Sequence, residues 1–185
     1  MKRHGKPALI LLLLGTFLFG GVYPLVIWGT ANLLFPSKAQ GSKVFLNDKC
    51  VGLYFVGQSF TKSKYFWPRP SWSYRSKDRL ISGGSNLSWS SPLLRASVEA
   101  KSRIWRQEDE SIPEDLVMSS ASGCDPEISL DAALIQVPRI AVMRSLPEEV
   151  ITALVTECQE PTFGNLFPKR VNVLKLNNAL DGRFF

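Results

Sequence analysis

From Ala8 to Phe35 the chain runs for 28 residues without a charge, ALILLLLGTFLFGGVYPLVIWGTANLLF, and twenty of them are apolar. A bilayer core needs about 20 such residues in a helix, so this segment spans it with some tilt. The competing reading is a cleaved signal peptide, with MKRHGK as the positive n-region and Leu9–Leu14 as the h-region. The length of the apolar run, and the lack of an A-x-A-like site at its end, favour a retained anchor. Gly20, Gly21 and Pro24 interrupt it. Pro24 removes one backbone hydrogen bond and is expected to kink the helix, while paired glycines let a partner helix approach closely. These three are candidate partner contacts, although Gly and Pro are also ordinary in membrane helices.

Lys2, Arg3 and Lys6 precede the span, and only Lys38 and Lys43 follow it before the first acid, Asp48. The positive-inside rule then puts the N-terminus in the cytoplasm and the rest outside. The net charge of +6 and the pI near 9.4 suggest a nucleic-acid binder at first sight. Yet three of those charges sit in the N-terminal tail as a topology signal. The remaining 150 residues carry +3, with lysines and arginines scattered among acids and no basic stripe, so nucleic acid is not an expected partner.

The expected organisation is therefore a cytoplasmic tail (1–7), a transmembrane anchor helix (8–35) and one compact mixed domain (36–185) of the α+β class. Val44–Leu46 and Val51–Val56 flank Asn47-Asp48-Lys49 as a hairpin. The loop-rich stretch Gly57–Ser91 carries Phe60, Tyr65, Phe66, Trp67, Trp72, Tyr74 and Trp89, enough aromatic surface to be ordered against something. Ser91-Pro92 suits the start of a helix running to Trp105, with Leu94, Val98 and Trp105 on one face. Ser111-Ile112-Pro113-Glu114 fits a capping box for a short helix ending near Met118. Ser129 caps a helix from Leu130 that Pro138 breaks or kinks before Arg144. Ser145-Leu146-Pro147-Glu148 fits another capping box, opening a helix with Val150, Ile151, Leu154, Val155 and Cys158 on one face. Val171–Leu176 reads as a late strand.

Several chemistries are excluded. The single histidine is His4, in the tail, so no Ser-His-Asp triad or His-ligated metal exists within the domain. Cys50, Cys124 and Cys158 have no C-x-x-C spacing, and an exported domain could pair only two of them. No P-loop is present. Ser82, Gly83, Gly84 and Ser85, within Ile81–Asn86, form the one glycine-rich loop that could turn backbone N–H groups on an anion such as a nucleotide phosphate; a tight turn is the simpler reading. Asp125, Glu127 and Asp131 lack an EF-hand pattern, and Asp125-Pro126 before Ser129 reads as a turn into a capped helix. Arg69 stands between Pro68 and Pro70 beside Phe66, in a stiff run that suits either an internal ion pair or a partner contact.

Taken in order, the motifs resemble one family. They are Gly20-Gly21-Val22-Tyr23-Pro24-Leu25, Gly57-Gln58-Ser59-Phe60, Tyr65-Phe66 with Arg69-Pro70-Ser71, and Ser82-Gly83-Gly84-Ser85-Asn86-Leu87. They continue with Ser120-Ala121-Ser122-Gly123 and Asp125-Pro126, Gln136 with Arg139-Ile140-Ala141, and Val171-Asn172-Val173-Leu174 through Leu176-Asn177 to Ala179-Leu180-Asp181. The series is similar to the C-subunit family of the bacterial Kdp high-affinity potassium-transporting P-type ATPases. It departs at Cys124, where the family usually has Leu, and at Trp72, where a small residue is common.

The resemblance implies an accessory subunit in the bacterial inner membrane. Its implied partners are a catalytic ATPase subunit, a potassium-channel-like subunit and a small single-span subunit. It implies a role in assembly and as a catalytic chaperone that raises the ATPase subunit's affinity for ATP. No tightly bound cofactor is expected, and ATP enters only through the resemblance. An outside domain could not meet cytoplasmic ATP, so its effect would pass through the membrane subunits. The chain also lacks the Asp-Lys-Thr-Gly motif of a pump's catalytic subunit. The alternative, from anchor and aromatic loop alone, is a tethered extracytoplasmic enzyme or wall-binding module.

Overall fold

A computed structural model describes residues 4–46, 48–71, 82–105, 111–161 and 168–184. Asn47 at the hairpin tip, Trp72, Tyr74, Ile81, Phe185 and the side chain of Phe184 lie outside the described residues. The chain divides after Lys43 into two compact units.

The first unit is built on one apolar helix, Gly5–Leu34, whose 30 residues rise about 45 Å, more than a hydrocarbon core requires. It consists of α1 (Gly5–Phe17), a π turn at Leu18–Val22, and α2 (Tyr23–Leu34). The expected kink at Pro24 takes this form. Proline has no N–H, and its ring crowds the carbonyl four residues back. The helix answers by widening one turn before it, where Tyr23 N–H donates to the carbonyl of Leu18, and Pro24 falls in the first turn of α2. Polar side chains in the span bond to its own backbone. Thr30 Oγ1 donates to Val26 O at 2.8 Å, and Asn32 Nδ2 to Trp28 O at 2.8 Å, which satisfies them without water. A single turn, α3 (Pro36–Ala39), follows.

The second unit packs helices around two minimal sheets. Strands β1 (Lys43–Leu46) and β2 (Lys49–Leu53) pair as the expected hairpin, with β2 starting two residues earlier than its apolar run. Then come α4 (Pro92–Trp105), α5 (Glu114–Val117), β3 (Glu127–Ser129), α6 (Leu130–Leu134), α7 (Val137–Arg144), α8 (Glu148–Glu157), β4 (Arg170–Asn172) and α9 (Val173–Phe184). β3 and β4 are antiparallel, with Ile128 opposite Val171, and Gln159 forms a lone bridge to Val171. The architecture is α+β with one membrane-spanning helix.

The core lies under this second sheet. Ile128, Val171, Ile151, Leu154, Val155, Leu176 and Leu180 are at most 1% exposed, each contributing about 1.5–3 kcal/mol by burial. Ile151, Leu154, Val155 and Cys158 are the predicted inward face of α8; Val150, expected with them, is 37% exposed. Pro138 sits in the first turn of α7, just after α6 has ended, where a missing N–H costs nothing. Ser129 Oγ accepts the N–H of Ala132 at 3.1 Å, the expected cap.

Three local expectations need correction. Val171–Leu176 is not one strand: β4 stops at Asn172, whose Oδ1 accepts the Lys175 N–H at 3.0 Å and starts α9. Ser145 does not open α8. It ends α7 in the left-handed conformation (φ 54°), and Pro147 precedes α8 with Glu148 and Glu149 in its first turn, where acids complement the helix dipole. Ser111 makes no cap either, since α5 begins after Pro113 and its carboxylate Asp115 reaches across to Ser129 N at 2.5 Å.

Candidate functional site

The segment 57–71 has no regular secondary structure, yet it is fixed by side chains from α6–α7 and α9. Asn177 on α9 accepts the Phe66 N–H at 2.9 Å and donates to the Phe66 carbonyl at 3.0 Å. Gln136, at the α6–α7 junction, does the same for Trp67, accepting its N–H at 2.7 Å and donating to its carbonyl at 3.2 Å. Two amide side chains thus stand in for a neighbouring strand. Both are buried, Gln136 at 0% and Asn177 at 2% exposure. Gln136 also donates to Ala132 O at 2.9 Å and accepts from Arg139 Nη2 at 2.8 Å, so its four bonding positions are filled.

Two arginines tighten the same segment. The Arg139 guanidinium lies 4.0 Å from the Trp67 ring centroid and 6.0 Å from that of Trp105. It donates to the Tyr65 carbonyl at 3.0 Å and to that of Ser63. Burial draws its pKa down to about 10, which still leaves it charged at neutral pH. Arg144, with a side chain 1% exposed, pairs with Asp181 at 2.7 Å and donates to the Lys64 carbonyl at 2.9 Å. Asp181 also accepts the Tyr65 hydroxyl at 2.8 Å. Burial, then that bond to Asp181, raises the Tyr65 pKa above 10.0.

Beyond Trp67 the run continues as Pro68-Arg69-Pro70-Ser71. Arg69 Nη1 pairs with Asp125 at 2.9 Å, so the internal ion pair is formed, with a quarter of the arginine side chain still exposed. Asp125 Oδ1 accepts the Glu127 N–H at 3.1 Å, a turn where one was expected, although β3 intervenes before the capped helix. The Pro70 carbonyl accepts from Ser120 N at 3.1 Å, and the Ser71 hydroxyl donates to the Gly123 carbonyl. Ser59, Phe60, Thr61, Trp67, Pro68, Arg69 and Pro70 line a shallow groove of about 320 Å³.

The glycine-rich loop packs against the same turn. Gly83 N–H donates to the Ser122 carbonyl at 2.8 Å, and Ser82 Oγ to that carbonyl at 3.0 Å. A Cβ on Gly84 would come 3.0 Å from the Ala121 carbonyl oxygen. Gly123 has φ +67°, and a Cβ there would collide with the Gly83 carbonyl oxygen. Close backbone approach between 82–84 and 120–123 therefore accounts for Gly84 and Gly123. Ser85 Oγ faces its own chain, 3.5 Å from Leu87 N.

The other candidate residues fall as follows. Phe66, expected to face a partner, is 0% exposed, and its ring belongs to the core. That expectation mistook the anchor of the aromatic run for its outer face. Trp89, expected to lie against something, is 82% exposed. In the span, a Cβ on Gly21 would meet nothing within 4 Å and one on Gly20 only Thr16 Cγ2 at 3.9 Å, so the chain itself has no steric need for either glycine. Cys50 is exposed, Cys124 half-buried and Cys158 buried. Sequence reasoning assigned no role to Gln136, Asn177, Arg144 or Asp181. A signal existed in polar residues at helical spacing inside otherwise apolar segments.

These features define a single-span membrane protein whose α+β domain holds an aromatic–proline–arginine run rigidly, with hydrogen bonds spent largely inside the domain. Such an arrangement suits recognition. The family of the potassium-transporting ATPase c chain, KdpC, matches residues 5–182, and the chain belongs to that family. It is 42% identical over 189 residues to the potassium-transporting ATPase KdpC subunit of Beijerinckia indica subsp. indica, covering 100% of this chain and 96% of that one. It is 40% identical over 189 residues to the KdpC subunit of Janthinobacterium sp. (99% of this chain, 100% of that one). With the KdpC subunit of Serratia proteamaculans the identity is 42% over 182 residues, covering 95% and 96%.

Proposed function

We propose that this chain is a non-catalytic accessory subunit of an ATP-driven high-affinity potassium uptake pump in the bacterial inner membrane. The observation that carries this reading is the family match over residues 5–182, which takes in both span and domain. The catalytic chemistry belongs to another chain, since this one lacks Asp-Lys-Thr-Gly and keeps its only histidine in the tail. Its N-terminus is cytoplasmic and its domain extracytoplasmic, as the charges flanking the span favour.

The span packs laterally on the channel-like and catalytic subunits through the π turn, where Gly20 and Gly21 leave open space and Pro24 frees a carbonyl. The Trp67–Pro70 face contacts a partner outside the membrane. The chain supports assembly and raises the catalytic subunit's affinity for ATP through the membrane subunits. The internal bonds of Ser82 and Gly83, and the close approach of Gly84 to Ala121, support this indirect route over a nucleotide held by the loop itself.

Deleting the gene is expected to abolish growth at micromolar potassium and to stop the remaining subunits copurifying as one complex. Normal growth of the deletion strain under potassium limitation would overturn the reading. An alkaline phosphatase fused after Phe185 is expected to be active; an inactive fusion would reverse the topology and reopen direct contact with ATP.

A further inference from the structure

Arg69 enters the groove beside Trp67 with most of its hydrogen-bonding capacity unspent. A guanidinium carries five N–H donors in a planar fork. Among the described residues, Nη1 bonds to Asp125 Oδ2 at 2.9 Å, Nε is buried without a partner and Nη2 makes no bond. Asp125 is itself held, because its Oδ1 accepts the Glu127 N–H. It therefore fixes one corner of the fork and leaves the other side for a second acceptor. A carboxylate is the acceptor that this fork pairs with most strongly.

The surroundings favour negative charge as well. Between Gly57 and Ser71 the charged residues are Lys62, Lys64 and Arg69, all of them basic. Arg139 adds a further cation against the Trp67 ring. The groove walls are apolar and set in advance. Phe60 packs on Tyr65 with ring centroids 5.5 Å apart, and Trp67 Nε1 donates to the Lys62 carbonyl at 3.1 Å. Pro68 and Pro70 restrict the backbone on either side of Arg69. Such a surface loses little conformational entropy on binding. Sites for small molecules enclose most of their ligand. This groove, at about 320 Å³, is shallow, and Ser59 and Thr61 line it as exposed residues. It suits an extended peptide segment laid across it.

We propose that the groove takes an extended segment of another pump subunit that carries an aspartate or a glutamate. The carboxylate pairs with Arg69 while neighbouring apolar side chains pack on Phe60, Trp67 and the two prolines. The inference rests on the reading that the Trp67–Pro70 face meets a partner, and it names that partner's chemistry.

The test uses the assembled pump, purified through this chain, with Arg69→Lys and a carbodiimide. The reagent joins an amine to a carboxylate that touches it and leaves a guanidinium alone, so the parent is the blank at this position. Peptide mass spectrometry is expected to find a link from position 69 to an aspartate or glutamate of another subunit. A link only to Asp125, or to a second copy of this chain, would overturn the proposal. So would the absence of any link in a pump that assembles. Charge reversal gives a second readout. Arg69→Glu should lower the copurified yield roughly tenfold or more, since like charges across an interface repel. Growth at micromolar potassium should then return when an acid of another subunit is replaced by lysine or arginine. Arg69→Glu that assembles like the parent, or suppression at Asp125 alone, would assign Arg69 to the fold instead. If the parent chain copurifies no pump subunit, the accessory-subunit reading itself falls. If it does copurify them and both readouts fail, only the groove's occupant is wrong.

Discussion

Asn177 Oδ1 accepts the N–H of Phe66 at 2.9 Å while Asn177 Nδ2 donates to the carbonyl of the same residue at 3.0 Å. The two residues are 111 positions apart, and both are buried. One amide thereby satisfies a complete peptide register that would otherwise need a neighbouring strand. It does so where the chain has brought the fully buried Phe66 ring into the core.

Replacing Asn177 by Leu leaves the Phe66 N–H and carbonyl buried without partners, at about 1–3 kcal/mol for each group. The expected cost is about 2–5 kcal/mol, read from denaturant unfolding of the detergent-solubilised full chain. Asn177→Asp keeps an acceptor for the N–H but sets a buried carboxylate oxygen against the Phe66 carbonyl, so it should cost at least as much in neutral buffer and less in acid, where the protonated acid can donate. A Leu variant as stable as the parent would show that water enters and satisfies the segment.

Arg144 and Asp181 form a pair in which the arginine side chain is 1% and the aspartate 27% exposed. Removing only the aspartate strands a buried cation, so Asp181→Asn is expected to destabilise by about 3–5 kcal/mol. Arg144→Met should cost less, because the remaining carboxylate is partly hydrated and keeps the Tyr65 hydroxyl at 2.8 Å. The double variant should recover part of the Asp181→Asn loss. Additive losses in a double-mutant cycle would place the worth of Arg144 in its bond to the Lys64 carbonyl instead.

What could be read from the sequence was the part with a period or a named local chemistry. The uncharged run gave the span, the α8 spacing placed Ile151, Leu154 and Val155 inward, and Ser129 acted as the cap it resembled. Capping-box patterns at Ser111 and Ser145 failed because Pro113 and Pro147 fix an extended residue just before each helix. Those helices start one residue later, without a side-chain cap. The run Val171–Leu176 has strand propensity throughout, but the Asn172 side chain captures Lys175 N and converts it to helix, a tertiary choice over a local preference. The clamps at Phe66 and Trp67 were hidden for a different reason. They join residues 111 and 69 positions apart, and no spacing rule links them.

Tyr54 titrates late. Burial, then the side-chain bond to Glu160, raises its pKa from 10.0 to about 12. The neutral phenol is the favoured form in the folded state. Its contribution to stability is therefore whole below pH 10 and is lost as pH climbs toward 12. Phenolate absorbance should show a step near pH 12 that disappears in Tyr54→Phe. That variant should also lose stability less steeply between pH 10 and 12. A Tyr54 step at the ordinary value would mean that neither the burial of the phenol nor its Glu160 contact holds in solution.

The glycines at 83 and 123 separate packing from nucleotide binding. Gly123→Ala forces a side chain into the left-handed region and against the Gly83 carbonyl, and should destabilise the domain by at least about 1 kcal/mol. A Cβ on Gly83 meets nothing within 4 Å, so Gly83→Ala should leave stability within about 0.5 kcal/mol. Photolabelling of the full chain by an ATP analogue should be the same in Gly83→Ala as in the parent. Loss of labelling in this stable variant would assign the loop to the nucleotide.

Gly21 tests the membrane packing. A side chain there meets nothing within 4 Å in this chain, so Gly21→Leu should leave unfolding of the isolated protein unchanged within about 0.5 kcal/mol. A helix packed at that turn would be pushed away by the added isobutyl group, since close approach depends on the missing side chain. Copurification with the other pump subunits should then fall several-fold, and growth under potassium limitation should slow. Gly29→Leu is the comparison, because Gly29 has equally open surroundings and lies outside the π turn. If both variants assemble like the parent, lateral packing does not use this part of the span. If both fail alike, the contact runs along the helix and the π turn has no special part in it.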